Sequence, residues 1–113
     1  MKKQLSKKSQ HISPLLNNFK QDLLAVYHEK LLGVILFGSY ARGDFHSDSD
    51  VDLLLLFPKD TQINKETKIV MDIAYNFMFE DGYLLMPILT TDILFEQKNN
   101  PLYNNIKKEG III

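Results

Sequence analysis

The sequence of 113 residues contains no cysteine and no tryptophan, and it has only five glycines and four prolines. Without cysteine, the chain has neither a disulfide framework nor thiolate ligands for a zinc site. Glycine and proline are too scarce for a collagen-like or low-complexity chain. The longest apolar run, 31–37, is far shorter than the ~20 residues that a membrane-spanning helix requires. These absences argue against a disulfide scaffold, a collagen-like chain and a membrane-spanning protein.

The chain also lacks an excess of positive or negative charge, because its formal net charge is only −1. This balance argues against a broad basic face that binds nucleic acid. Six lysines nevertheless lie near the two ends of the chain, namely Lys2, Lys3, Lys7, Lys8, Lys107 and Lys108. They are either ordinary solvated surface charges or a local RNA contact. No apolar segment follows the first lysines, so we expect no secretory signal, no membrane partner and a cytoplasmic location.

The composition that remains is typical of one packed domain. Hydrophobic residues make up 45% of the chain and charged residues 24%, which is usual for a globular protein. No internal repeat or flexible linker divides the sequence. We therefore predict a single domain over 1–113, in which 1–12 is a polar, poorly ordered N-terminal segment.

Hydrophobic periodicity predicts alternating helices and strands. A first helix begins at Ser13-Pro14, with serine as the N-cap and proline at the first helical position. The Pro87 ring favours an edge position or a bulge for the last strand. The predicted helices are 13–30, 64–80, 91–98 and 101–108, and the predicted strands are 31–37, 51–57 and 83–89. This order indicates an α/β (α+β) fold in which a small mixed sheet of three to four strands is flanked by helices.

One segment carries the residues that suggest chemistry. The first strand runs into Gly38-Ser39, where glycine permits close backbone approach and the following helical turn offers free N–H groups to an anion. The next strand bears Asp50 and Asp52, whose i, i+2 spacing places both carboxylates on one face. Two carboxylates together with phosphate oxygens are suitable ligands for Mg²⁺. The segment therefore predicts a site for a nucleoside triphosphate.

Each half of this pattern has a simpler explanation when it is taken alone. A Gly-Ser pair is common in plain turns, and the aspartates could mark a solvated strand end. Two alternative motifs fail. No Gly-Lys-Ser/Thr follows Gly38, so the loop is not a P-loop. The residues from Asp48 onward begin like an EF-hand, but the loop has Leu53 at its sixth position and Lys59 at its twelfth.

The residues GSYARG at 38–43 and SDVDL at 49–53 together resemble the nucleotidyltransferase signature of the polymerase-beta-like superfamily. The chain is most similar to the minimal nucleotidyltransferase (MNT) domains. The stretch 101–110 resembles the end of MNT proteins that pair with helical HEPN-domain proteins. The resemblance implies the nucleotidyltransferase fold and, as partner, a HEPN-type protein, a second copy of the chain, or both.

The resemblance also assigns roles to individual residues. Gly38, Ser39 and Arg42 would contact the nucleotide, although Arg42 could instead tie down the loop. Asp50 and Asp52 would be catalytic and would bind Mg²⁺ or Mn²⁺. The implied reaction attaches a nucleoside monophosphate from an NTP substrate to an acceptor hydroxyl and releases pyrophosphate.

The sequence departs from this family at one point. Active members carry a third carboxylate on a later strand, and the matching place here lies near Met86 or Pro87, where no acid is present. Asp72 and Asp81 are nearby but match a helix charge and a turn. Two functions therefore remain open. The chain is either a nucleotidyltransferase or a degenerate scaffold that acts on a partner by contact, as an antitoxin would. A weaker third option is an accessory domain that delivers nucleotide or RNA.

The helix 64–80 suggests a partner, because it carries two apolar stripes where a surface helix normally has one. The first stripe is Ile69, Val70, Ile73, Ala74 and Phe77, and the second is Met71, Tyr75, Met78 and Phe79. Either the last helix of the chain or another subunit would cover the second stripe. The final isoleucines would form an exposed apolar patch unless they pair or dock.

Overall fold

A four-stranded mixed sheet organises the molecule, in a computed structural model that describes residues 1–2 and 4–113. The strands are β1 (Gly33–Phe37), β2 (Val51–Phe57), β3 (Leu85–Thr91) and β4 (Ile111–Ile112), in the spatial order β3-β2-β1-β4. β1 is antiparallel to β2 and β4, whereas β2 and β3 are parallel. The predicted fold class is confirmed, and β3, which contains Pro87, lies at an edge.

In the described part of the chain, five α-helices connect and cover the strands. They are α1 (Ser13–Tyr27), α2 (Ser39–Arg42), α3 (Ile63–Asp81), α4 (Asp92–Gln97) and α5 (Pro101–Glu109), with short 3-10 helices at Lys7–Ile12 and His28–Lys30. Local capping explains several of the bounds. The Thr91 hydroxyl accepts the N–H of Leu94 at 3.2 Å, and the Asn100 side chain accepts the N–H of Tyr103 at 2.8 Å. Gly82, at φ 78°, ends α3 in the left-handed conformation.

The start of the chain differs from the sequence-based expectation. Ser13 was expected to cap α1, but Ile12 is the N-cap because the 3-10 helix over Lys7–Ile12 runs directly into α1. Within this helix Ser9 and Ile12 are fully buried. Residues 1–12 were expected to be poorly ordered. In the structure Ile12 belongs to the same hydrophobic core as the buried residues of α1.

The final isoleucines pair with the sheet, and only one face of the pair is buried. Ile111 and Ile112 form β4 against Leu36 and Ile35, and Ile111 is 1% exposed. Lys2 forms an isolated parallel bridge with Ile111, so both ends of the chain meet at this edge.

The sheet has two apolar faces of unequal size. The larger core lies on the face covered by α1 and α3. A smaller cluster lies on the other face, beneath α4 and α5, and consists of Ile35, Phe37, Leu54, Phe95 and Ile106. Asp52 lies two residues before Leu54 on β2, and alternate residues of a strand point to the same face. Asp52 therefore also lies on this second face, which the two short helices cover only in part.

The two stripes of α3 have different fates. Of the first stripe, Val70, Ala74 and Phe77 are buried against the sheet and α1, whereas Ile69 is 38% exposed. In the second stripe Tyr75 is 49% exposed and Phe79 is 80% exposed. The last helix does not cover them, because α5 packs against β1 beneath the opposite face. Within the described residues, no helix is long and apolar enough to cross a membrane.

Candidate functional site

The centre of the site is the contact between Gly38 and Asp52. β1 ends at Phe37, which is paired with Asp52 of β2. Gly38 follows with φ 76° and ψ −155°, a conformation that favours glycine. A Cβ placed on Gly38 would collide with Asp52 Oδ2. The loop backbone therefore lies directly against the carboxylate, and only glycine permits this approach.

The short helix α2 begins immediately after this glycine. Tyr40 and Ala41 are buried and anchor it to the larger core. The carbonyl of Ser39 accepts the N–H groups of Gly43 at 2.8 Å and Asp44 at 3.1 Å, which closes the turn. Ser39 itself is only partly buried and lies where the first N–H groups of a helix have no partner within the helix. Gly38 thus lies against Asp52, and Ser39 follows it at the start of α2.

Asp50 and Asp52 differ in their surroundings. Asp50 is exposed and lies one residue before β2, whereas Asp52 is partly buried inside the strand. Burial raises the pKa of the Asp52 carboxyl, and the negative charge of Asp50 raises it further, while Arg42 lowers it. A divalent cation between these carboxylates would relieve both their repulsion and the cost of burial. The donor set therefore fits one hard cation that is also bound by phosphate oxygens.

Arg42 makes contacts that tie the loop to the rest of the molecule. Its Nε lies 3.1 Å from Asp44 Oδ2, and its Nη1 lies 3.1 Å from Glu109 Oε1 at the end of α5. The hydrogen bond that Arg42 donates to Asp44 raises the Arg42 pKa most, and burial opposes it. The guanidinium is close enough to lower the pKa of Asp52. These contacts agree with the tethering alternative, and the role of Arg42 at the nucleotide stays a prediction.

The structure places a groove beside Asp50 that sequence reasoning missed. Its volume is about 490 Å³, and its walls include Asp48, Asp50, Asp81 and an aromatic group. The aromatic group consists of His11, Tyr40, Phe45 and Tyr83, in which the Tyr40 and Phe45 rings are stacked at 4.3 Å. These residues come from three distant segments, so no local pattern could have indicated the groove. His46 does not line it and is exposed.

The third carboxylate was expected near Met86 or Pro87, and of these two residues Met86 lies beside Asp52. The parallel register pairs Met86 directly with Asp52, and its side chain is 37% exposed. Asp72 lies exposed on α3, and Asp81 lies at the end of that helix. Among the residues that the structure describes, no group of three His, Cys, Asp or Glu side chains is arranged to hold a metal ion.

Solved structures share this fold. A protein from Sulfolobus solfataricus, provisionally described as a nucleotidyltransferase, has a TM-score of 0.65 and 18% identity over 94% of this chain and 82% of its own. A toxin-antitoxin structure with AMP-PNP has a TM-score of 0.57 and 21% identity, covering 84% of this chain and 69% of that one. At these identities the likeness shows the nucleotidyltransferase fold.

Sequence comparison goes further. A protein of Methanocaldococcus jannaschii, provisionally named as a protein adenylyltransferase, is 40% identical over 78 residues, which cover 69% of this chain and 78% of the relative. Residues 16–113 match the family model described as the nucleotidyltransferase domain. The resemblance seen in the signature residues is confirmed, and the chain belongs to the nucleotidyltransferase domain family.

Proposed function

We propose that this chain transfers the adenylyl group of ATP to a hydroxyl group on a partner protein. The observation that carries the proposal is the contact of Gly38 with Asp52, beside Asp50. It joins a loop suited to phosphate with a carboxylate pair suited to a divalent cation. The name of the Methanocaldococcus jannaschii relative supports the choice of reaction, and the AMP-PNP in the toxin-antitoxin structure supports an ATP-like substrate.

Each residue at the site has a distinct role in this proposal. Gly38 and Ser39 hold the triphosphate at the end of β1, where the absent side chain of glycine lets the backbone approach. Asp50 and Asp52 hold Mg²⁺ or Mn²⁺, which enters with the nucleotide. When bound, this cation neutralises charge on the phosphate oxygens and so favours attack at phosphorus. Arg42 steadies the loop through its contacts with Asp44 and Glu109.

The proposed reaction is a substitution at the α-phosphorus of ATP. The acceptor oxygen forms a bond to the α-phosphorus, and the bond between that phosphorus and the oxygen bridging to the β-phosphate breaks. Pyrophosphate leaves with the bond's electron pair, and the proton of the acceptor hydroxyl passes to water or to a base on the partner. The partner thereby becomes adenylylated.

We place the acceptor on a helical toxin of the HEPN type. The resemblance of 101–110 to MNT proteins that pair with HEPN proteins supports this partner, as does the toxin-antitoxin neighbour. In the structure this stretch forms α5, which exposes Leu102 while Ile106 holds the helix to the sheet. A second copy of the chain is the other protein that could occupy this position.

A second candidate function is regulation without transfer. Met86 favours it, because this residue stands beside Asp52 where active relatives are expected to carry a carboxylate. In that case the chain would bind nucleotide and silence its partner by contact alone.

Transfer of radiolabel distinguishes the two functions. The purified chain is incubated with Mg²⁺ and its partner, or with cell extract, and with ATP labelled at either the α- or the γ-phosphate. Asp50→Asn/Asp52→Asn removes the carboxylate pair, and Asp48→Asn is a matched control because Asp48 is an exposed acid of the same loop. GTP, CTP and UTP labelled at the α-phosphate test the choice of base.

Adenylyl transfer predicts that α-label, but not γ-label, becomes attached to a protein. The label should be lost in the double variant and retained in Asp48→Asn. Nucleotide binding that depends on Mg²⁺ but leads to no transfer would establish the regulatory function instead. If the double variant binds nucleotide as well as the natural chain does, the assigned site is wrong.

A further inference from the structure

The register of the sheet decides which side chain stands next to Asp52. β2 and β3 are parallel, and Asp52 is paired with Met86 while Leu54 is paired with Ile88. Paired residues of neighbouring strands point to the same face. The position from which β3 could contribute a further metal ligand is therefore occupied by a thioether, which is a poor ligand for Mg²⁺.

Other acids do not replace this ligand. Asp44 and Glu109 are paired with Arg42, and Asp92 accepts the N–H of Ile93 at the far end of β3. Asp81 lines the groove beside Asp50, but no three acids or histidines in the described chain are arranged to hold a metal ion. Asp50 and Asp52 are thus left as a pair.

We infer that this site holds one divalent cation per bound nucleotide, where two-metal phosphoryl-transfer sites hold two, and that Met86 sets this number. The inference rests on the proposed function, since the cation enters with the nucleotide. One cation can be shared by Asp50, Asp52 and the phosphates. A second cation would lie toward the acceptor hydroxyl, and on that side β3 offers Met86 instead of a carboxylate.

A consequence concerns the acceptor. In a two-metal site the second cation binds the attacking oxygen and lowers its pKa. Without that cation, the hydroxyl is activated by groups that the acceptor protein brings to the site. The chain therefore depends on its partner for more than the hydroxyl itself.

Counting bound Mn²⁺ tests this inference without measuring activity. The chain is kept in excess over AMP-PNP, and Mn²⁺ is added while the electron paramagnetic resonance signal of free Mn²⁺ is followed. The variants are Met86→Asp and Met86→Glu, which place a carboxylate beside Asp52. Ile88→Asp is the matched control, because Ile88 lies on the same strand and face, is 40% exposed and is paired with Leu54 instead. Urea denaturation of each variant confirms that it is folded.

We expect one tightly bound Mn²⁺ per nucleotide in the natural chain and in Ile88→Asp. At least one of the two Met86 variants should bind twice as much, with the spectral broadening that two neighbouring Mn²⁺ ions produce. A ratio of two in the natural chain overturns the inference and leaves the proposed function intact. A ratio of one in both folded Met86 variants also overturns it. If AMP-PNP binds Mn²⁺ as tightly without the chain as with it, the chain's carboxylates hold no cation and the proposed function itself fails.

Discussion

At the residue scale, the close contact between Gly38 and Asp52 makes two positions of the chain depend on each other. Local sequence was enough to identify both residues, because glycine after a strand and aspartates at i, i+2 have meaning without a structure. The contact of Arg42 with Glu109 could not be foreseen, since Glu109 is 67 residues away. Likewise, only the sheet register shows that Met86 faces Asp52.

Replacement of Gly38 by alanine should be much more costly than the same change at Gly82. Both glycines have a positive φ, so each substitution costs about 1 kcal/mol of strain or more. Only at Gly38 does the new Cβ collide with Asp52 Oδ2, since nothing lies within 4 Å of a Cβ at Gly82. Urea denaturation should show a greater loss of stability for Gly38→Ala.

The Asp52→Ser background provides the control for this prediction. Serine removes the carboxylate oxygen that the new Cβ would meet, so the cost of Gly38→Ala should fall toward that of Gly82→Ala. Equal costs in both backgrounds would show that the contact with Asp52 does not determine the need for glycine.

A second residue-scale prediction concerns Tyr27, which is 7% exposed. Within the described residues its buried hydroxyl has no hydrogen-bond partner of good geometry, although the Glu66 carboxylate lies close by. Tyr27→Phe should therefore stabilise the fold at neutral pH by about 1 kcal/mol, because an unpaired buried polar group is removed. Tyr75→Phe, at a half-exposed position, should give no such gain when the two variants are compared by urea denaturation.

The stability of the natural chain should also depend on Tyr27 at high pH. Burial raises the pKa of Tyr27 from 10.0 to about 12, and the negative charge of Glu66 adds to the shift. Between these values the folded state holds the proton more tightly than the unfolded state, so stability falls as pH rises from about 10 to about 12. The advantage of Tyr27→Phe should grow over this range, and a constant difference would contradict the assignment.

At the element scale, the helices and strands followed from periodicity and capping residues, with small shifts in their bounds. The strand β4 was missed because two residues carry no periodicity, and its pairing with β1 depends on distant parts of the chain. The double stripe of α3 was recognised from the sequence. Its meaning required the structure, which leaves Tyr75 and Phe79 without cover from α5.

Two phenylalanines on α3 should differ greatly in how much stability a polar substitution removes. Phe77 is 7% exposed and packs edge-to-face against Phe19 at 5.5 Å, whereas Phe79 is 80% exposed. Phe77→Ser should lower the free energy of unfolding by roughly 3 to 5 kcal/mol or more, because a buried aromatic side chain is lost. Phe79→Ser should change stability by less than about 0.5 kcal/mol. Thermal denaturation of both variants checks this, and a large loss in Phe79→Ser would mean that the second stripe is covered.

At the scale of the whole molecule, contacts between distant segments close the fold. Lys20 Nζ donates to the carbonyl of Ile113 at 2.8 Å across 93 residues of sequence. Lys2 bridges to Ile111 at the same edge. The sequence showed only that the terminal isoleucines needed cover, because the segment that provides it is not adjacent in the chain.

The neighbours Ile111 and Ile112 allow this closure to be measured. Ile111 is 1% exposed in the larger core, and Ile112 is 41% exposed on the other face. Ile111→Ala should cost about 2 to 5 kcal/mol, and Ile112→Ala should cost clearly less. Equilibrium unfolding in urea gives both values, and similar losses for the two variants would show that β4 does not pack as described.

The antiparallel pairing of β4 with β1 also has a consequence for the order of assembly. During synthesis β1 can pair with β2 early, whereas its other edge must wait for the residues of β4. The segment between β1 and β4 is much longer than the one between β1 and β2, so its closure costs more chain entropy. We therefore expect β4 to dock after the folding transition state. Substitutions at Ile111 should then accelerate unfolding and leave the folding rate nearly unchanged. Until that late step the open edge of β1 is available to other strands, and a nascent chain would be most prone to aggregation at this stage.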